Sequence, residues 1–181
     1  MLERDELTYI KNILELSNQP STIKFTLLEN IFTIFEHEPE LKEDIFDSFS
    51  ANQVKAKSLL VNHLDKLNLL NKDTEVVIFG CWYGSVLIPL ISDKVKKITC
   101  IDSDDQAITI GRNRLFYNDK RVTWITGDVF EDYRDMFDTT DIFINTSCEH
   151  MLPMKWWGPK GPRKDHDWFK EWNGDYRREW K

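Results

Sequence analysis

The stretch Glu75-Val76-Val77-Ile78-Phe79-Gly80-Cys81-Trp82-Tyr83-Gly84 decides the fold. A compact apolar run ends in a turn bracketed by two glycines, as happens where a buried strand gives way to a helix. Three further runs have the same character: Ile98-Thr99-Cys100-Ile101, Val122-Thr123-Trp124-Ile125 and Ile142-Phe143-Ile144. From Val76 to Ile98, Val122 and Ile142 the intervals are 22, 24 and 20 residues. Near-continuous apolar strands at that spacing predict parallel strands covered on both faces, joined by crossovers. The first two crossovers have room for helices, at about 85–93 and 104–113, while the third, around 130–137, is short. Right-handed crossovers then give a doubly wound α/β sheet.

Upstream, the period is helical. Leu7, Ile10, Ile13, Leu14 and Leu16 share one face, and Pro20 ends that segment. Ser21 or Thr22 caps a second helix with Ile23, Leu27, Leu28, Ile31, Phe32 and Phe35 inward. Pro39 opens a short third one carrying Leu41, Ile45, Phe46 and Phe49. A fourth, over about 52–70, is expected to turn Val54, Leu59, Leu60, Leu64 and Leu67 to the core. Residues 1–72 thus read as a helical cap, 73–151 as the sheet and its crossovers, and 152–181 as a tail. That tail holds Pro153, Pro159, Pro162 and five of the seven tryptophans.

Composition narrows the class. The chain has 181 residues, 41% of them hydrophobic and 13% aromatic, enough to bury a core. No apolar run approaches the twenty residues that span a bilayer, and the opening MLERDELTYIKN does not read as a signal peptide. Three widely spaced cysteines, Cys81, Cys100 and Cys148, argue against a disulfide framework and for a cytoplasmic protein. The net charge is −7, with a balance of +3 in residues 155–181 against −10 before them. Such a body repels phosphate backbones.

Ligands of a doubly wound sheet bind beyond the carboxyl ends of its strands. At the first end, Gly80 to Gly84 lets backbone approach a ligand, or else packs a helix on the sheet. At the second, Asp102 with Ser103 follows the strand directly, and a carboxylate can accept both hydroxyls of a ribose. The competing role for Asp102 is to cap the helix that starts near Asp104. At the third, Asp128 can accept an exocyclic amino proton while Val129 offers a backbone N–H. The Gly-x-Gly-x-x-Gly fingerprint of dinucleotide enzymes is absent, since Trp82 stands third in the turn.

These features together resemble the class I S-adenosylmethionine-dependent methyltransferase superfamily, over roughly Thr74 to Met151. The resemblance implies a Rossmann-like sheet, S-adenosylmethionine as cofactor and methyl transfer; the acceptor it leaves open is expected to be a small molecule ahead of a nucleic acid or a protein. It places the methionine moiety at Gly80, Cys81, Trp82, Tyr83 and Gly84, the ribose at Asp102 and the adenine at Asp128 and Val129. The segment Asn145-Thr146-Ser147-Cys148-Glu149-His150-Met151 occupies the substrate-facing position. The GCWYG and NTSCEHM strings also look like those of methyltransferase-like proteins in viral and bacterial genomes, a narrower match that assigns no substrate. The chain departs from the family pattern at Ile78, where an acid is usual, and at Trp82, where a glycine is. Four strands against the usual seven make the sheet a shortened one. A degenerate, non-catalytic relative that serves as a binding or scaffolding subunit is the competing reading.

Within the last strand's end, His150 has a side chain suited to taking a proton near neutral pH, and Glu149 can orient it. Cys148 and His150 alone do not make a metal site, and none is expected. A short sheet leaves an open edge, which predicts a homo-oligomer through that edge or the tail. Basic residues among tryptophans in the tail suit a protein interface first and single-stranded nucleic acid second.

Overall fold

A computed structural model describes Thr8 and residues 10–13, 22–117, 119–129, 136 and 138–147. Cys148, Glu149, His150, Met151 and the tail lie outside the described residues, as does most of the third crossover. Four strands, β1 (Glu75–Phe79), β2 (Lys97–Asp102), β3 (Val122–Thr126) and β4 (Ile142–Asn145), form one parallel sheet in the order β3-β2-β1-β4. All four expected strands are present, at nearly the expected limits. The chain steps from β1 outward to β3 and then returns to pair β4 with the other side of β1. The order therefore reverses between β1 and β4, the place where such sheets open a crevice.

The helices are α1 (Thr22–His37), a single 3-10 turn at Pro39–Leu41, α2 (Lys42–Ser48), α3 (Ala51–Lys66), α4 (Leu87–Ile91) and α5 (Asp105–Ile110). Residues 10–13 are helical as well. Helix α5 runs on into a π turn, Gly111–Leu115, closed by the Phe116 N–H donating to the Gly111 carbonyl. None of the described helices is long and apolar enough to cross a membrane.

One contiguous core joins this helical layer to one face of the sheet. It includes Leu27, Ile31 and Ile34 of α1, Ile45 of α2, Val61 of α3, Ile88 of α4, and Ile78, Cys100 and Ile144. A smaller cluster of Val77, Phe79, Ile101 and Val129 occupies the opposite face, with Phe143 stacked on Phe79. Two helical faces differ from expectation. In α1 the third core position is Ile34, and Phe32 is 41% exposed. In α3 the buried residue is Val61, whereas Leu59 and, just beyond the helix, Leu67 are 61% and 54% exposed. Both segments carry more apolar residues than one face holds, and α3 ends four residues early, at Lys66, so Leu67 leaves the helical register.

Candidate functional site

At the carboxyl end of β1 the backbone enters the left-handed region three times in five residues. Gly80 has φ 58°, Trp82 φ 49° and Gly84 φ 65°. The two glycines adopt this at no steric cost, but the tryptophan does not, since its Cβ crowds a carbonyl oxygen. It is held there from β2. The Trp82 N–H donates to Oδ2 of Asp102 over 2.7 Å, and Oδ1 of the same carboxylate accepts from the Asp104 N–H at 3.0 Å. Asp102 is therefore not the cap of α5. That role belongs to Asp104, whose Oδ1 accepts from Gln106 and Ala107.

The other strand ends are tied to the same loop. The Cys81 N–H donates to the Ile101 carbonyl, and the Gly127 N–H to the Asp102 carbonyl. From β4, the hydroxyls of Thr146 and Ser147 both donate to the Gly80 carbonyl, at 2.8 and 3.2 Å. Asn145 turns its Oδ1 back to the Ser147 N–H. The structure thus brings Gly80 to Gly84, Asp102 and Asn145 together at one end of the sheet. Ser103 and Asp128 are exposed beside that cluster, and the Val129 side chain is buried in the second apolar cluster.

Gly84 has a purely internal reason to lack a side chain. A Cβ there would stand 2.4 Å from Cδ1 of Ile88 and 3.2 Å from the Trp124 indole. The same indole closes on Gly111, where a Cβ would meet it at 2.4 Å, and it stacks on Phe116. Trp124 is thus wedged between the loop and the π turn, a role its sequence context gave no reason to expect. The Trp82 ring lies stacked on buried Tyr83, centroids 4.7 Å apart.

Beneath the loop, Cys81 and Cys100 are both buried free thiols. A hydrogen bond with Cys100, together with burial, raises the Cys81 pKa well above its ordinary value. Burial and then the Asp44 carboxylate of α2 raise that of the Tyr83 phenol. Helix α2 is fastened to the same turn, the Ser85 hydroxyl donating to the Ser48 carbonyl at 3.4 Å. From α3, Lys57 lies within electrostatic reach of the Cys81 thiol, and its own pKa is lowered, chiefly by burial. Sequence reading passed over this lysine. The available signal was its place on the apolar stripe between Val54 and Val61. Among the described residues no group of three or more His, Cys, Asp or Glu could hold a metal ion.

A family model described as the methyltransferase small domain matches residues 46–145. A comparison with curated proteins finds no match. Among solved structures, the chain is similar to precorrin 8W decarboxylase of Methanobacterium thermoautotrophicum, with 22% identity and a TM-score of 0.44, covering 52% of this chain and 49% of that one. It is also similar to the S-adenosylhomocysteine-bound methyltransferase PaMTH1 of Podospora anserina, with 15% identity and a TM-score of 0.42, covering 75% and 55%. The chain spans about half the length of each.

Proposed function

The chain belongs to the methyltransferase small domain family, within the class I S-adenosylmethionine-dependent superfamily, and from that premise we propose that it transfers a methyl group to a small-molecule acceptor. The observation that carries this reading is the Asp102 carboxylate, half-buried at the end of β2 and oriented by the Trp82 N–H. Each of its oxygens accepts one described hydrogen bond, and a carboxylate oxygen has room for two. The acid can therefore hold ribose hydroxyls without releasing the loop. S-adenosylmethionine supplies an electrophilic methyl group on a sulfonium. In this reading Gly80 to Gly84 surrounds its methionine end, Asp102 orients its ribose, and Asp128 with the Val129 N–H receives its adenine. Asn145, with Glu149 and His150 after it, presents the acceptor, for which in-line positioning matters more than acid–base help when the attacking atom is already neutral.

Trp82 favours a second reading, a subunit that binds the cofactor without turning it over. An indole stands where the family has a glycine, and its Cβ is carried on a left-handed backbone. Incubation with methyl-labelled S-adenosylmethionine and a cell extract separates the two. Label in the small-molecule fraction supports the first reading, and label in macromolecules overturns its choice of acceptor. Binding of S-adenosylhomocysteine in calorimetry with no label transferred supports the second. No heat at millimolar concentrations of either ligand overturns both.

A further inference from the structure

Helix α1 is apolar on two sides. Leu27, Ile31 and Ile34 enter the core, while Phe25 and Phe32, two turns apart on another side, are 58% and 41% exposed. A helix that buries only one face ordinarily keeps such a stripe polar. Phe32 also forms part of the wall of an apolar groove, with Ile10, Ile13, Leu28, Phe35 and Phe46 of α2. The rings meet edge to face, Phe32 with Phe35 at 6.5 Å between centroids and Phe35 with Phe46 at 4.9 Å. The Lys42 ammonium lies over the Phe35 and Phe46 rings, at 6.0 and 5.7 Å. The exposed end of the aromatic row is therefore that of Phe32, with Phe25 beyond it.

The segment around this row is acidic. Residues 22–48 hold seven acidic side chains against two basic ones, a balance of −5, and Glu29 and Glu36 flank Phe32 on α1 itself. Residues 155–181, which lie outside the described residues, have the opposite balance, +3, and carry Trp156, Trp157, Trp168, Trp172 and Trp180. Tryptophan supplies large apolar anchors for a groove, and opposite charge aligns the two surfaces. The tail also starts close by. Ser147, the last described residue, donates to the Gly80 carbonyl, and the same loop is tied through Ser85 to the Ser48 carbonyl at the end of α2. From there Cys148 to Met154 can extend over about 25 Å, whereas α2 is about 10 Å long. A second copy is a poorer occupant, because a two-fold contact through α1 would set two acidic segments against each other. We propose that residues 155–181 dock on the helical layer of their own chain, their tryptophans covering Phe25 and Phe32 and their basic side chains facing Glu29 and Glu36.

Photo-crosslinking in the full chain tests this. With Phe32→p-benzoylphenylalanine, irradiation is expected to join position 32 to peptides from residues 155–181, in a band of single-chain mass. The same probe at Leu59, which is 61% exposed on α3, should not reach those peptides. Tail peptides found only in a two-chain band overturn the same-chain occupant. Crosslinks from position 32 to any other segment or molecule, no crosslink at all, or equal tail labelling from position 59 overturns the docking surface. Tryptophan fluorescence gives a second readout: Phe32→Asp should shift the emission to longer wavelength and raise its quenching by acrylamide, and Leu59→Asp should do neither. Unchanged emission from a Phe32→Asp variant that keeps the wild-type circular dichroism also overturns the proposal.

Discussion

The amide of Trp82 and the carboxylate of Asp102 meet at 2.7 Å, so the acid at the end of β2 fixes the shape of the loop at the end of β1. Asp102 thereby has a structural duty as well as its proposed ribose duty. Asp102→Ala leaves the Trp82 and Asp104 N–H groups without their acceptor, which should cost about 1–3 kcal/mol. Asp102→Asn keeps one acceptor oxygen but turns an amide toward one of the two donors, and should fall between wild type and the alanine variant. Urea unfolding checks the order. An Asp102→Ala variant as stable as wild type would mean that the carboxylate does not hold the loop.

Trp82 has φ 49°, a conformation that costs an L-residue and costs glycine almost nothing. Comparing Trp82→Gly with Trp82→Ala isolates this effect, since both lose the indole and its stack on Tyr83. The glycine variant should be the more stable of the two by about 1 kcal/mol, against the usual advantage of alanine. Thermal or urea unfolding reads the difference. If alanine is equal or better, the loop is not left-handed at this position.

Gly111 lies in the π turn, where helix propensity alone favours alanine by about 1 kcal/mol. A Cβ there would stand 2.4 and 2.6 Å from two ring carbons of Trp124, and that ring is held in turn by Phe116 and the Gly84 loop. Gly111→Ala should therefore destabilise by about 1–3 kcal/mol. In a Trp124→Leu background the obstruction is gone and the propensity term returns, so the two changes should couple by more than about 1 kcal/mol in a double-mutant cycle. Additive effects would mean that indole and glycine do not touch.

The strands were legible because burial on both faces leaves continuous apolar runs, and Val76 to Phe79 is buried throughout. Their spacing fixed the crossovers in turn. The faces of α1 and α3 were less legible. Both segments carry surplus apolar residues, and which of them turn inward depends on partners far away in sequence, as with Val61 against Leu59. At the site, the cluster of Gly80, Gly84 and Asp102 followed from strand ends alone. What could not be read was how the side chains are spent. Gly84 makes room for Ile88 and Trp124, Trp124 is wedged against Gly111, and Asp102 holds a backbone amide. Each of these is a contact between segments, invisible to periodicity.

Cys81 and Lys57 give the loop opposite responses to alkali. The Cys81 pKa is raised in the folded state, so its contribution to stability is complete below the ordinary thiol pKa, about 8.5, and is lost as pH climbs toward the folded value. The Lys57 pKa is lowered, chiefly by burial, so the folded state sheds that proton before the unfolded chain does and gains stability as pH rises through the folded value. Cys81→Ser removes the thiol's response together with its electrostatic effect on Lys57. Between pH 7.5 and 9.5 the wild type should lose about 1 kcal/mol relative to Cys81→Ser, the consequence of roughly one pH unit above the unfolded thiol pKa. Urea midpoints at the two pH values give the comparison, and it does not require the two proteins to be equally stable at neutral pH. Parallel profiles would show that the Cys81 thiol titrates alike in the folded and unfolded chain, and so is not buried against Cys100.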